Sequence, residues 1–466
     1  MLSFVGLCVL LGIGHYLRIK VKLFQKLYLP SSVIAGLLGL VIIQCTAYFA
    51  SHSEVSLFDS LNAAFTQCAA PWSKLPGFLI NIVFACLFLG VALPKLSTLW
   101  HRAGPQVAYG QTVAWGQYVV GIGLFLAVIK FLYPELPDMF AGILPVGFEG
   151  GHGTAAGLGP VFEQYNFQAG KDFALTSATF GILSAIIFGM ILINWAARKG
   201  YVTKQMLPEN IEEDESFAII PVDRRPIAGR LTVRSDLIES LTIHIAIVGI
   251  AILLGYLMKQ GLLAIEGSSE YLSKHKLLAG FPLFPLCMIG GLIVQFWEDR
   301  FDKKKIIDVG LMKRIQNTAL DFLVAAAIAT IRLDIVMAGL VPLIILAAAG
   351  VAWNIFCVTF LARRMLPDAW FERAIAEMGQ SMGVTATGLM LLRVVDPDYE
   401  TPAADAFACK QLIHEPFMGG GLWTGMAIPL LAIYGGIPVL AISTAMMSAW
   451  LIIVFTSKKL KASKSI

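Results

Sequence analysis

Leu144-Pro-Val-Gly-Phe-Glu149-Gly150-Gly151-His152-Gly153-Thr154-Ala-Ala-Gly157 is too apolar for a surface loop and too rich in glycine for one continuous helix. A second stretch of the same character reads Glu377-Met-Gly379-Gln380-Ser381-Met-Gly383-Val-Thr385-Ala-Thr387-Gly388. Thr154-Ala155-Ala156-Gly157-Leu158 aligns with Thr385-Ala386-Thr387-Gly388-Leu389 at an offset of 231. Phe88-Leu89-Gly90-Val91-Ala92 resembles Phe322-Leu323-Val324-Ala325-Ala326 at 234. Two matches in register at half the chain length point to a duplicated unit with one broken stretch in each copy.

What surrounds these stretches is hydrocarbon-like. Of the 466 residues 57% are apolar, 43 are glycine and only 14% are charged, against about 25% charged in a soluble domain. Charge-free runs such as Ser3 to Tyr16, Val33 to Ala50 and Val336 to Ala362 approach or exceed the roughly 20 residues a helix needs to cross a bilayer. The chain reads as an all-α, multi-pass membrane protein. Eleven spans are expected near 3–17, 30–50, 79–99, 106–131, 173–196, 237–258, 277–297, 316–333, 336–362, 405–431 and 436–456. The broken stretches, about 138–163 and 373–393, are set aside as re-entrant hairpins. The first run has no basic leader and no cleavage site before Arg18, so it reads as a span rather than a removed signal.

Charge orients this layout. With residue 1 outside, 26 of the 35 lysines and arginines fall on inner loops and seven outside, the asymmetry that the positive-inside rule requires. Membrane lipid is the surrounding partner, the cell inner membrane the expected location, and the C-terminus is cytoplasmic. The polar segment 199–235, with Pro208-Glu-Asn-Ile-Glu-Glu-Asp-Glu-Ser216, reads as a cytoplasmic linker between residues 1–198 and 236–431, and 432–466 adds one span and a basic tail. Because five spans is an odd number, the second copy is expected upside down, the inverted-repeat plan of many secondary transporters.

Composition also excludes classes. The seven cysteines are unpaired in spacing and suggest neither disulfides nor a transition-metal site. The net charge of +4 comes from residues beside the membrane rather than a basic face, so no nucleic acid is expected. No cofactor is expected beyond a coupling ion. No H-E-x-x-H, G-x-S-x-G or P-loop string occurs, which argues against an intramembrane enzyme or an ATP-driven pump.

The chemistry is expected at the two breaks. Glycines at membrane depth leave backbone groups unpaired, which is tolerable only beside a cavity or ligand. A helix starting near Thr154 would aim free N–H groups at a carboxylate. Glu149, Gly150, Gly151, His152, Gly153 and Thr154 are therefore candidate substrate contacts, although a glycine-mediated helix crossing explains the glycines alone. In the second stretch, Ser381, Thr385 and Thr387 offer the hard oxygens an alkali cation prefers, with Gln380 and Gly383 beside the substrate. Asp321 in the eighth span joins the candidate cation ligands. Arg393 and Lys410 are the candidate counter-charges for a substrate carboxylate. Ionisable groups at this depth are functional candidates by default. Lys410 and His414 share a helix face and are expected to pair with Glu415, Asp321 or the substrate.

Gly150-Gly-His-Gly-Thr154, Ala178-Thr-Phe-Gly181 and the Gly379 to Thr387 run resemble the bacterial sodium:glutamate symporter family, over nearly all of residues 1–431. The resemblance implies two inverted five-helix repeats, each with a re-entrant loop, working as a homodimer by an elevator-like movement. It also implies sodium-coupled uptake of glutamate or a related small carboxylate. This sequence departs from that pattern at Glu149, at Asp321, at Lys410, His414 and Glu415, and in its eleventh span. A proton-coupled organic-anion transporter or a passive anion channel is the alternative; a channel would need a continuous polar stripe, which the spans do not offer.

Overall fold

A computed structural model describes residues 2–26, 29–52, 56–91, 96–202, 225, 227–234, 236–275, 278–302, 304–396 and 400–456. Most of the expected linker 199–235 and the basic tail after residue 456 lie outside the described residues. The principal helices, in chain order, are α1 (Leu2–Lys20), α2 (Ser31–His52), α3 (Ser56–Ala69), α4 (Leu75–Cys86), α5 (Leu96–Leu124), α6 (Ile143–Phe148), α7 (Gly151–Gly157) and α8 (Gly170–Arg198). After the linker come α9 (Ser240–Gly267), α10 (Leu283–Phe301), α11 (Val309–Ala329), α12 (Leu340–Phe356), α13 (Trp370–Met382), α14 (Thr385–Val395), α15 (Ala403–His414), α16 (Leu422–Tyr434) and α17 (Gly436–Thr456). No strand occurs among the described residues.

Eight helical stretches among the described residues are long and apolar enough to cross a membrane, fewer than the eleven expected. The expected spans at 277–297 and 316–333 form as α10 and α11, but α10 ends in Glu298-Asp-Arg300 and α11 carries Lys313, Arg314 and Asp321. The span expected over 405–431 is not continuous. It divides into α15 and α16 around Pro416 and Gly419-Gly-Gly421, where Gly419 and Gly420 take positive φ. Proline cannot continue the amide ladder and glycine tolerates the left-handed backbone. The two stretches expected as hairpins each contain a break between helices, α6 and α7 at Glu149–Gly150, and α13 and α14 at Gly383–Val384. The long helices α5 and α12 each end in a π-helical turn, Phe125–Ile129 and Cys357–Leu361.

The chain forms two compact units. The first comprises Met1–Leu93, Ala156–Pro160 and Glu213–Arg332; the second comprises Pro94–Ala155, Val161–Glu212 and Leu333–Ile466. In the first unit small residues let helices touch backbone to backbone, as they must where lipid provides no hydrophobic drive. A Cβ on Gly255 of α9 would lie 2.7 Å from Cys287 N of α10, and one on Gly36 of α2 would lie 2.6 Å from Ile328 Cβ of α11. Side-chain caps start two of its helices. Glu239 accepts from Thr242 N at 2.7 Å to begin α9, and Asp308 accepts from Leu311 N at 2.9 Å to begin α11. The backbone N–H of Thr242 holds the exposed Glu239 carboxyl below its ordinary value.

The second unit packs α5 against α15 and α17, and α8 against α6 and α13. Its glycines again set the closest approaches. A Cβ on Gly379 of α13 would lie 2.7 Å from Gly388 Cα of α14, so the two arms of the second broken pair cross with no side chain between them.

Candidate functional site

All the buried ionisable residues singled out near the breaks collect in the second unit. Lys410, on α15, has no exposed surface and stands at the centre. Its Nζ lies 2.7 Å from Glu377 Oε1 on α13 and donates to Gln380 Oε1 at 2.9 Å and Gln411 Oε1 at 3.0 Å. Three oxygens thus surround an ammonium that has three hydrogens. Glu377, also wholly buried, accepts from Gln106 Nε2 of α5 at 3.0 Å through its other oxygen. Gly110 of α5 makes room for this pair: a Cβ there would stand 2.6 Å from Glu377 Oε1 and overlap the Lys410 stem.

Two amides carry this polarity outward. Gln380, whose oxygen faces Lys410, turns its Nε2 to Glu149 Oε1 at 2.9 Å. Gln411 likewise gives its oxygen to Lys410 and its Nε2 to Thr385 Oγ1 at 2.6 Å and Glu415 Oε1 at 3.1 Å. The Thr385 hydroxyl itself donates to Glu415 Oε1 at 3.2 Å. One buried cation therefore fixes the orientation of two glutamines, and each glutamine points a donor at a carboxylate.

The state of His414 follows from a similar chain. The Trp115 indole can only donate, and it donates to Gln111 Oε1 at 3.0 Å. That assigns Gln111 Nε2 to the contact with His414 Nδ1 at 3.2 Å, where the ring nitrogen must accept. His414 is then a neutral imidazole with its proton on Nε2, which donates to Glu149 Oε1 at 2.6 Å. Glu149 Oε1 thus receives two N–H groups, while its Oε2, in a residue only 4% exposed, has no hydrogen-bond partner.

These pairings differ from the sequence expectation in detail. Lys410 meets Glu377 rather than Glu415 or Asp321, and His414 meets Glu149. His152, which follows Glu149 closely in sequence, turns elsewhere. Its Nε2 lies 3.0 Å from Thr179 Oγ1, whose own hydrogen goes to Leu175 O, so the ring donates. Gly151 takes φ +67°, and a Cβ on it would lie 3.2 Å from Val384 Cγ1 and 3.4 Å from Gly383 O, so the two breaks abut. Gly150 and Gly153 flank that contact half-buried, and the Thr154 hydroxyl is buried without a partner. Ser381 donates to Asn354 Oδ1 at 2.8 Å and accepts from Gln117 Nε2 through its carbonyl at 2.5 Å. Thr387 is buried beside Gly383, where a Cβ would lie 3.0 Å from its Oγ1.

Of the other expected members, Arg393 is exposed near the end of α14, and Asp321 is half-buried on α11 in the first unit. Sequence reasoning quoted Glu377 without giving it a role and passed over Gln106, Gln111 and Gln117. Three glutamines along one membrane-length helix were the available signal, since buried amides need partners. A separate concavity lined by Pro137, Asp138, Tyr165 and Gly435 contains none of the cluster residues.

A helical multi-pass membrane protein with a broken-helix site of buried charges in one of its two units is the class that this architecture defines. The chain belongs to the sodium/glutamate symporter family, whose profile matches residues 1–401. It is similar to the sodium/glutamate symporter of Haemophilus influenzae, with 25% identity over 362 residues, 74% of this chain and 82% of that protein. The family is one of transporters, not enzymes. Glu149 and Glu377 fall within the matched residues; Lys410, His414 and Glu415 follow them.

Proposed function

We propose that this protein is a sodium-coupled symporter of glutamate or a related small carboxylate, working by elevator-like alternating access and as a homodimer. The observation that carries the reading is the meeting of the two helix breaks, Gly151 against Gly383–Val384, beside a buried polarised network. Family membership and the name of the Haemophilus influenzae relative support sodium and glutamate as cargo. The inverted-repeat plan has two supports. Glu149 and Gln380, which the offset of 231 makes equivalent in the two copies, hydrogen-bond to each other, as residues near an internal two-fold axis would. The paired π turns, at Phe125–Ile129 and Cys357–Leu361, recur at nearly the same offset.

In this reading the breaks of α6/α7 and α13/α14 are re-entrant and line the substrate site, with backbone groups around Gly150, Gly151, Gly153 and Gly383 and the side chains of His152, Thr154 and Gln380 beside the cargo. Ser381, Thr385 and Thr387 are the proposed oxygen donors for sodium. Asp321 belongs to the other unit and is left out of that set. Lys410, enclosed by three oxygens, acts on the substrate through Gln380 rather than by direct contact, and Arg393 serves the exposed end of the path. Containment of the substrate candidates in one unit suits an elevator, in which one unit carries the cargo. The N-terminus is assigned outside and the C-terminus inside, on the 26-to-7 division of basic residues.

Purified full-length protein in proteoliposomes tests this directly. Labelled glutamate should accumulate under an inward sodium gradient and exchange in counterflow. Equal uptake with potassium in place of sodium would remove the coupling, and non-saturating current without counterflow would favour a channel.

A further inference from the structure

The charges of the buried cluster do not balance. Glu377, Glu149 and Glu415 supply three carboxylates against one ammonium, Lys410, and the hydrogen bonds from Trp115 through Gln111 make His414 neutral. Glu377 is answered by Lys410 at 2.7 Å. Glu415 is half-buried, with part of its surface open. Glu149 has neither remedy. It is 4% exposed, its partners are a neutral imidazole and a neutral amide, both on Oε1, and Oε2 is bare. An ionised carboxylate is strongly disfavoured in such surroundings unless a positive charge joins it.

A sodium ion is a poor remedy at this position. A hard cation needs several oxygens around it, and what Glu149 meets through Oε1 are N–H groups from Gln380 and His414. A proton needs only the free lone pairs of Oε2 and disturbs neither bond. Other titratable groups face the cluster from the packed elements: Tyr109 and Tyr118 on α5, Cys357 after α12, Glu377 on α13, and Lys410, His414 and Glu415 at the end of α15, while His152 on α7 turns to Thr179. Among them Lys410 is engaged by Glu377, and His152 donates to Thr179, so neither is free to answer Glu149.

We propose that Glu149 is a proton-binding site, taking a proton on Oε2 from water in one half of the transport cycle and returning it to water in the other, so that substrate moves with a proton as well as sodium. The coupling half of this statement rests on the symport reading above. Its logic is electrostatic. Glu149 stands two residues before Gly151, at the break where the cargo is proposed to sit, and an anionic substrate meeting an ionised Glu149 in a low dielectric is repelled. Protonation must therefore precede or accompany anion entry.

The test uses full-length protein in proteoliposomes with a pH-sensitive dye inside, together with infrared titration of the same samples. Labelled glutamate entering under a sodium gradient should acidify the lumen. The carbonyl band of a protonated carboxylic acid should be present in the wild type, titrate with pH, and be lost in Glu149→Gln. Apparent glutamate affinity, read by thermal shift, should fall by about tenfold per pH unit on the alkaline limb, as uptake of one linked proton on binding requires. Glu149→Asp should keep that slope.

Glutamate uptake without lumen acidification would overturn proton coupling and leave sodium symport standing. A carboxylic-acid band unchanged in Glu149→Gln, or absent from the wild type, would overturn the site itself. If glutamate does not enter at all, the symport reading and the coupling that rests on it both fail, and the infrared titration still decides whether Glu149 binds a proton. Should Glu149→Gln fail to fold, the wild-type dye signal and the Glu149→Asp titration decide alone.

Discussion

At the scale of single residues, the stability of the second unit hangs on a pairing that tolerates little. Removing one partner of a buried ion pair leaves an uncompensated charge and costs about 3–5 kcal/mol, whereas replacing both by apolar groups is often nearly neutral. Lys410→Met should therefore lower the thermal unfolding temperature in detergent sharply, and Lys410→Met with Glu377→Leu should recover most of the loss. If the double variant is as unstable as the single one, the ammonium is needed for Gln380 and Gln411 more than for Glu377. Gly110→Val should mimic Lys410→Met, because its side chain would occupy the space of the pair. Gly151→Val is expected to abolish uptake with normal membrane insertion, since a β-branched residue at φ +67° is strained and would press on Val384. Full uptake by that variant would return the first break to a packing role.

Helices show how close contact and capping act at the next scale. The arms α13 and α14 cross at Gly379 and Gly388, and a Cβ on Gly388 would overlap Ala376 O. Gly388→Val should spread the arms and displace Gln380, so sodium-dependent glutamate binding by thermal shift should drop well before the protein loses its helical circular dichroism. Binding at wild-type strength would mean that Gln380 keeps its place without the crossing. In the first unit, the lowered pKa of Glu239 gives a sign to pH dependence. A carboxyl held below its unfolded value, about 4.3, stabilises the start of α9 above that pH, and the contribution fades as pH falls through the lower folded value. Protection factors in the first turn of α9, corrected for intrinsic exchange, should fall in acid for the wild type and show no such step in Glu239→Gln. An acid step persisting in that variant would assign it to another group.

Over the whole molecule, orientation is the open measurement. In a background with the seven cysteines replaced, single cysteines from Gly150 to Thr154 are expected to react with reagents added outside, and those from Ser381 to Thr387 with reagents inside. The inverted plan predicts that opposition, because a copy turned over places its break toward the other face. Labelling of both segments from one side in every condition tested would end it.

What the amino-acid sequence determined by itself was the class of the protein and the positions of two helix breaks. Hydrophobic run lengths obey bilayer thickness, basic residues sort by side, and glycine with polar residues inside apolar runs marks where a helix must break; all three are local properties. The breaks at Glu149–Gly150 and Gly383–Val384 were legible for that reason. Which charges meet was not. Lys410 lies 33 residues from Glu377 and His414 lies 265 from Glu149 in sequence, and a helix that carries Lys410, Gln411, His414 and Glu415 within two turns presents several plausible pairings. The break at Pro416–Gly421 inside an apparent span, the roles of the three glutamines on α5, and the separation of His152 from Glu149 likewise depend on which faces pack. Tertiary structure decided these because a buried donor or acceptor takes the partner that packing brings within about 3 Å, and sequence spacing carries no information on that distance.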